Sequence, residues 1–376
     1  MKNRVSFSEQ YFGEQLVKRL FLHFFIILLF ISLIGCSSPK TEIIIGEDFL
    51  SKTLFYEADM PWVSYITEGE LDSYPGTEIA IIGRDLRIID KATGKLKSKV
   101  IKLPDKVSNE ALIGLKRNGQ YEIIAQGGGY GNVGLLDKDG KILWIYRPDP
   151  DLPPFSMTAG DINHDGEYEF YVATDEGLEQ LNHSGQKVWK KGDWVYDVAV
   201  YDAGSKEDSF VITILHNGDI KFRDYKGNLL REMKSRIKAH DIELCSWPTP
   251  GHILIRNGRS FYILDFNGKI IFRYKLGFFS IPSEIFGIRG TAVKLFKDKK
   301  SYLAVVVKFR SSSGLSMLLV FSPEGKLVYK EMIKVTTGLV AIESPYPDGE
   351  EVLLVGDGPG VVNIYQPAHK GGQVLN

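Results

Sequence analysis

The feature of this sequence that most restricts its fold is a phrase that returns once every 41 to 57 residues. It runs as an apolar strand, a turn, a second alternating strand, an Asp-x-x-Gly-Lys-like turn, and a third strand rich in aromatics. One copy is Glu78-Ile-Ala-Ile-Ile-Gly83, then Leu86-Arg-Ile-Ile-Asp90, then Gly94-Lys95. The others open at Glu122, Glu169, Phe210, His252 and Leu303, and their turn glycines are Gly140, Gly185, Gly227, Gly268 and Gly325. A further strand precedes each copy, as in Phe155–Ala159 and Tyr196–Tyr201, so each unit holds four short strands. Asn217-Gly218 and Asn257-Gly258 are hairpin signals between two of them. A unit this small cannot bury both faces of its sheet alone, whereas stacked units can. Four-stranded units of roughly 45 residues are propeller blades. No segment after residue 40 shows sustained helical periodicity.

A seventh copy, residues 337–366, stops before its last strand. Ser51–Tyr56 mirrors the stretch Gly140–Tyr146 and matches the missing strand. A ring that borrows its final strand from the other terminus leaves no open edge. The expected fold is therefore all-β: a β-propeller of about seven four-stranded blades over residues 51–366, closed by an N-terminal strand, with six or eight as bounds on the count. Residues 367–376 form a C-terminal tail.

The phrase ending Asp-x-x-Gly-Lys-x-x-Trp resembles the quinoprotein-like (PQQ-like) propeller repeats. That resemblance is one of fold, because such repeats serve enzymes, adhesins and assembly scaffolds alike. PQQ enzymes use adjacent cysteines and a metal site near the cofactor, whereas Cys36 and Cys245 stand far apart here.

The N-terminus reads as an address. Lys18 and Arg19 precede an apolar run, Leu20–Ile34, of 15 residues. That suits a signal-peptide core and falls short of the roughly 20 residues a membrane span needs. The run ends in Leu33-Ile34-Gly35-Cys36, which resembles the lipobox of bacterial lipoproteins. The resemblance implies cleavage after residue 35, acylation of Cys36 (diacylglycerol and palmitate), and a tether over 36–50. It places the propeller in the bacterial envelope outside the cytoplasm, held to the membrane by its lipid anchor. Ser37 rather than Asp follows Cys36, which in a Gram-negative envelope favours the outer membrane. The alternative is an uncleaved anchor with a chance cysteine. With Cys36 acylated, Cys245 has no partner and reads either as an apolar filler or as a reactive thiol.

One loop carries chemistry. Asp161, Asn163, Asp165 and Glu169 place oxygens at loop positions 1, 3, 5 and 9, and Gly166 sits at position 6, where a sharp turn is needed. The loop resembles the Asp-rich calcium loop of the FG-GAP (VCBS, integrin-type) repeats. The resemblance implies one Ca²⁺ held by Asp161, Asn163, Asp165, the carbonyl of Glu167, and Glu169. The alternative is a metal-free turn whose Asp and Asn bond their own backbone. The loop joins the first two strands of its blade, on the same face as the Asp-x-x-Gly-Lys turns, so the ion is expected to be structural. Gly76–Glu78, Gly119–Glu122 and Gly349–Glu351 keep the glycine and a glutamate without the alternating ligands, and no metal is expected there.

Without residues 1–35 the chain carries 42 basic against 45 acidic residues, a net charge of −3. Nothing in it attracts nucleic acid. No nucleophile elbow, zincin motif, phosphate-binding loop or paired-cysteine motif is present, and the seven histidines are scattered. Gly127–Gly131 reads as a strand-joining loop, since no helix follows it. The expected role is binding or scaffolding by a monomer with a protein or glycan partner. The binding face would be the second-to-third-strand loops (Gly127–Asn132, Arg310–Gly314, Gly356–Gly360) and the blade links (Arg147–Pro154), with Trp194 and Trp247 near other links. Those tryptophans read either as partner contacts or as blade packing. The alternative is a polysaccharide lyase or hydrolase with acidic residues in the central channel. Clustered carboxylates with shifted pKa values would favour it.

Overall fold

The computed structural model describes residues 46–368 apart from 47, 61–62, 70–77, 84, 98–99, 104–109, 116–120, 127–130, 149–153, 236, 278–284, 311–313, 335, 337 and 346–349. The signal segment, Cys36 and most of the 367–376 tail lie outside the described residues. Among the described residues every regular element is a β-strand, and the strands form seven antiparallel sheets of four. Blades 1 to 6 span 65–102, 110–146, 156–191, 195–233, 242–275 and 285–334. Blade 7 spans 339–367 and takes Leu50–Glu57 as its fourth strand. That strand pairs antiparallel with Val361–Pro367, from Leu50 opposite Pro367 to Glu57 opposite Val361. The first strand of each blade touches the first strands of both neighbours, and blade 7 meets blade 1, so the ring is closed around a channel.

The second strands are apolar at nearly every position because both faces of each sheet are covered. In Glu78–Ile82, Ile79 and Ile81 face blade 7, whereas Ala80 and Ile82 face blade 2. The same alternation fills seven apolar seams, one between each pair of neighbouring blades. Full burial of one such aliphatic side chain is worth roughly 1.5–3 kcal/mol. The core is thus a ring of seams around the channel.

The repeat also docks each blade onto the next. A residue of the outer strand covers the turn glycine of the following blade: Phe55 on Gly94, Ile101 on Gly140, Trp144 on Gly185, Trp189 on Gly227, Met233 on Gly268 and Phe272 on Gly325. The backbone at Val328 and Gly46 completes the circuit. The indole N–H groups of Trp144 and Trp189 donate to the carbonyls of His183 and Tyr225 in the turns they cover, at 2.9 and 3.1 Å. Cys245 is buried in the seam between blades 5 and 6, and burial pushes its thiol up to about 12. It is an apolar filler.

Candidate functional site

Strand direction gives the ring two unlike ends. The turn face carries the first-to-second and third-to-fourth connections of each blade. The link face carries the second-to-third loops and the passages between blades.

The acidic loop lies on the turn face of blade 3. Asp161 accepts the backbone N–H groups of Asp165 (3.1 Å) and Gly166 (2.9 Å). Asn163 accepts from Asp165 (2.7 Å), Asp165 from Glu167 (2.8 Å), and Glu169 from Ile162 (3.2 Å). These bonds curl the chain around its own side chains, with Gly166 at φ 89°. One oxygen each of Asp161, Asp165 and Glu169 lies within 4.8 Å of the others. The Asn163 amide donates to Asp165 at 3.0 Å and to Glu169. Among the described residues no basic side chain is ion-paired with these carboxylates. Burial, then the charges of Asp165 and Asp161, raise the Glu169 carboxyl to about 7. Three of the five predicted residues, Asp161, Asp165 and Glu169, therefore converge, with the Asn163 amide bonded to two of them, and carboxylate oxygens suit a hard divalent cation. Glu167 lends its N–H to the loop, while its carboxylate turns to His183 at 3.5 Å. His183 also meets Glu122 of blade 2 at 3.2 Å. A groove of about 460 Å³ continues from the loop past His183 to Trp189, Tyr225 and Lys226. The strand-opening glutamates of other blades are engaged differently: Glu78 pairs with Lys97 at 2.5 Å and Glu351 with Lys294 at 3.8 Å.

The link face of blades 3 to 5 carries a ladder of rings. Phe155 stacks on Tyr196 with centroids 5.6 Å apart and planes at 7°. Trp194 stacks on His216 at 3.7 Å and 5°. Tyr196 lies 6.3 Å from His216 and meets His240 edge-on at 5.7 Å. Trp194 and Phe155 keep 46% and 42% of their surface exposed, so the ladder is open to solvent. A bulge between Val195 and Asp197 shifts the register of the blade 4 inner strand at Tyr196, and bulges re-aim side chains in this way.

One layer below the rings, the channel wall is polar. Asp197 accepts the N–H groups of Val198 and Ile242, both at 2.8 Å, and the hydroxyl of Ser156. Asp241 is held by Arg256 at 2.5 and 3.0 Å, and Glu243 by Arg289 at 3.0 Å. Asp197 has no ion pair among the described residues. Burial and then the charge of Asp241 raise its carboxyl to about 7. Burial also raises Glu243 and the Tyr65 hydroxyl, against the pull of Arg289.

Trp194 was the only rung legible beforehand. The rest had a signal in the repeat itself, because Phe155, Tyr196, His240 and Phe286 sit at equivalent blade entrances, spaced by 41, 44 and 46 residues. Each stands two residues before a buried apolar position: Met157, Val198, Ile242 and Ile288. Trp247 is a correction. It lies between the first and second strands of blade 5, on the turn face, and only 3% of it is exposed. Its ring packs edge-on against Phe272 at 5.4 Å and its N–H donates to the Ser301 carbonyl at 2.9 Å, so it seals the seam to blade 6. The loop Gly356–Gly360 is occupied by ring closure, through Asp357 and Lys52. Much of Gly127–Asn132, Arg310–Gly314 and Arg147–Pro154 lies outside the described residues.

No protein-family model matches the sequence, and no curated protein matches it. Solved structures match in shape. Two are of BBS1N in complex with ARL6DN, soaked with lead and with mercury, at TM-scores of 0.57 and 0.56 and 13% and 14% identity. Each match covers 85% of this chain and 99% of that chain. Another is BamB from Moraxella catarrhalis, at a TM-score of 0.47 and 14% identity, covering 79% of this chain and 83% of that chain. At such identities the likeness to BBS1N is one of fold.

Proposed function

We propose that this chain is an envelope-tethered binding propeller that offers its link face to a protein partner. The observation that carries the reading is the exposed ladder of Phe155, Trp194, Tyr196, His216 and His240. Open aromatic clusters are where interfaces concentrate their energy. The similar BBS1N propeller, whose structure holds ARL6DN, supports a protein partner; a glycan is the alternative occupant of the same rings. The test is capture from envelope extract with the parent chain and with Phe155→Ala/Trp194→Ala. The parent should retain a partner that the variant loses at least tenfold, at an unchanged melting temperature. Equal retention overturns the reading.

Tethering rests on Leu33–Cys36. Cys36→Ser should abolish acyl labelling, and undiminished labelling would refute the anchor. Ca²⁺ held by Asp161, Asn163, Asp165, the Glu167 carbonyl and Glu169 would neutralise the acidic loop of blade 3. On the face opposite the ladder, its role is structural. The enzyme alternative would draw on the channel carboxylates. Among the described residues of blades 3 to 5, Arg256 and Arg289 neutralise Asp241 and Glu243, so only Asp197 is left unpaired there, whereas glycoside hydrolysis generally uses two carboxyl groups.

A further inference from the structure

We propose that the channel mouth between blades 3, 4 and 5 receives a cationic side chain, lysine or arginine, of the protein partner; the proposal rests on the binding reading above and specifies its chemistry. The mouth has two layers. The upper one is aromatic, with Phe155 flat against Tyr196 and His240 edge-on to it. Ring faces attract cations. The lower one is formed by the residues that follow these in the chain: Ser156, Asp197 and Asp241.

Among the described carboxylates of blades 3 to 5 that line this layer, Asp241 and Glu243 are paired and Asp197 is not. Arg256, which holds Asp241 in the same layer, does not balance Asp197, because each nitrogen of its fork already donates elsewhere. Nε and one Nη bind Asp241, and the other Nη donates to the Ile285 carbonyl at 2.6 Å. Arg289 is committed to Glu243 and lies over the Tyr65 ring at 5.2 Å. What remains around Asp197 is two backbone N–H groups and the Ser156 hydroxyl, all neutral donors. Among the described residues here, three carboxylates and two guanidinium groups leave one negative charge facing the channel, beneath the rings, whenever Asp197 is ionised. An apolar group entering there would strip water from that charge and return nothing, and an anion would be repelled. An ammonium or guanidinium satisfies both layers at once. The raised carboxyl of Asp197 is what a site short of one cation shows.

The test uses the full-length chain and peptides of sequence Gly-Ser-X-Ser-Gly, with X as arginine, lysine or norleucine, titrated by NMR. The arginine and lysine peptides should bind saturably, and norleucine at least tenfold more weakly. Asp197→Asn should weaken the cationic peptides tenfold or more. Norleucine binding as well as arginine overturns the proposal, and that arm needs no variant should Asp197→Asn fail to fold. Agmatine binding more tightly than the arginine peptide also overturns it, because the site would then serve a free amine. Partner capture separates the two readings. A partner kept by Asp197→Asn but lost by Phe155→Ala/Trp194→Ala leaves the binding face standing and removes the cation pocket. A partner lost by both supports the pocket.

Discussion

Removing the charge of Lys52 should loosen the closure of the whole ring. Lys52 sits in the N-terminal strand that completes blade 7. Its ammonium binds Glu331 of blade 6 at 2.9 Å and Asp357 at 2.6 Å. Burial works against the ammonium, but the bonds to Asp357 and Glu331 outweigh it and hold its pKa above the ordinary value. Glu331 is 4% exposed, and its second oxygen accepts the hydroxyls of Tyr329 (2.9 Å) and Tyr365 (2.8 Å). Breaking a fully buried pair costs about 3–5 kcal/mol. Lys52 is about a third exposed, and the two tyrosines continue to solvate Glu331, so Lys52→Met should cost about 2 kcal/mol. A ring of this size has an unfolding entropy of roughly 0.7 kcal/mol/K, which makes that a drop of about 3 °C in melting temperature. The assay is a double-mutant cycle with Glu331→Gln, read by calorimetry. Removing both charges should restore at least about 1 kcal/mol of the summed losses. Additive losses would refute the latch.

Gly185→Ala places a Cβ 2.6 Å from the Trp144 ring at φ +75°, and should cost about 2–3 kcal/mol in chemical denaturation. Gly204→Ala, at φ +79° with nothing within 4 Å, should cost only about 1 kcal/mol; equal losses would show that blade docking contributes nothing at that turn. Millimolar Ca²⁺ should stabilise the propeller by about 1 kcal/mol, and Asp165→Ala should abolish the effect. No heat on titrating Ca²⁺ into EDTA-treated protein would make the loop a plain turn. Asp197 holds a proton in the folded chain up to about pH 7, whereas the unfolded chain releases it near 3.8. Between those values the folded state binds more protons, so this group makes stability fall as pH rises and stop falling above about 7. The gap is worth at most about 4 kcal/mol. Glu169 and Glu243 contribute with the same sign and cancel in the difference between parent and Asp197→Asn. Parallel curves for the two from pH 4 to 8 would refute the shift.

The fold was legible because a blade is sandwiched between two others. That requirement makes runs such as Ile79–Ile82 and Ile253–Ile255 apolar without interruption, and it sets the period. Closure was legible for the same reason: the truncated seventh copy needed a partner, and Leu50–Glu57 fills the place expected of Ser51–Tyr56. The acidic loop was legible because its oxygen-bearing side chains, Asp161 to Glu169, are local in sequence. Tryptophans were harder to place. Trp144, Trp189 and Trp247 cover turn glycines or seams, whereas Trp194 stands open, and the residue type alone does not separate these roles.

The proposed binding face resisted a local reading because its parts come from three blades. Phe155, Tyr196 and His240 are about forty residues apart, and only the curvature of the ring brings them together. The same geometry explains why that position is free to vary. At a blade entrance the residue that must be apolar is the one aimed into a seam, such as Val198 or Ile242. Two places earlier the side chain stands at the channel mouth, where Phe155 is exposed and Tyr196 packs only against the rim of the seam between blades 4 and 5. On the proposed reading, a change at Phe155 or Asp197 alters what the mouth can hold, while a change at Val198 opens the seam beneath it. The repeat that builds the ring thus sets one residue over the channel mouth at the entrances of blades 3 to 5, and all three, Phe155, Tyr196 and His240, carry aromatic rings.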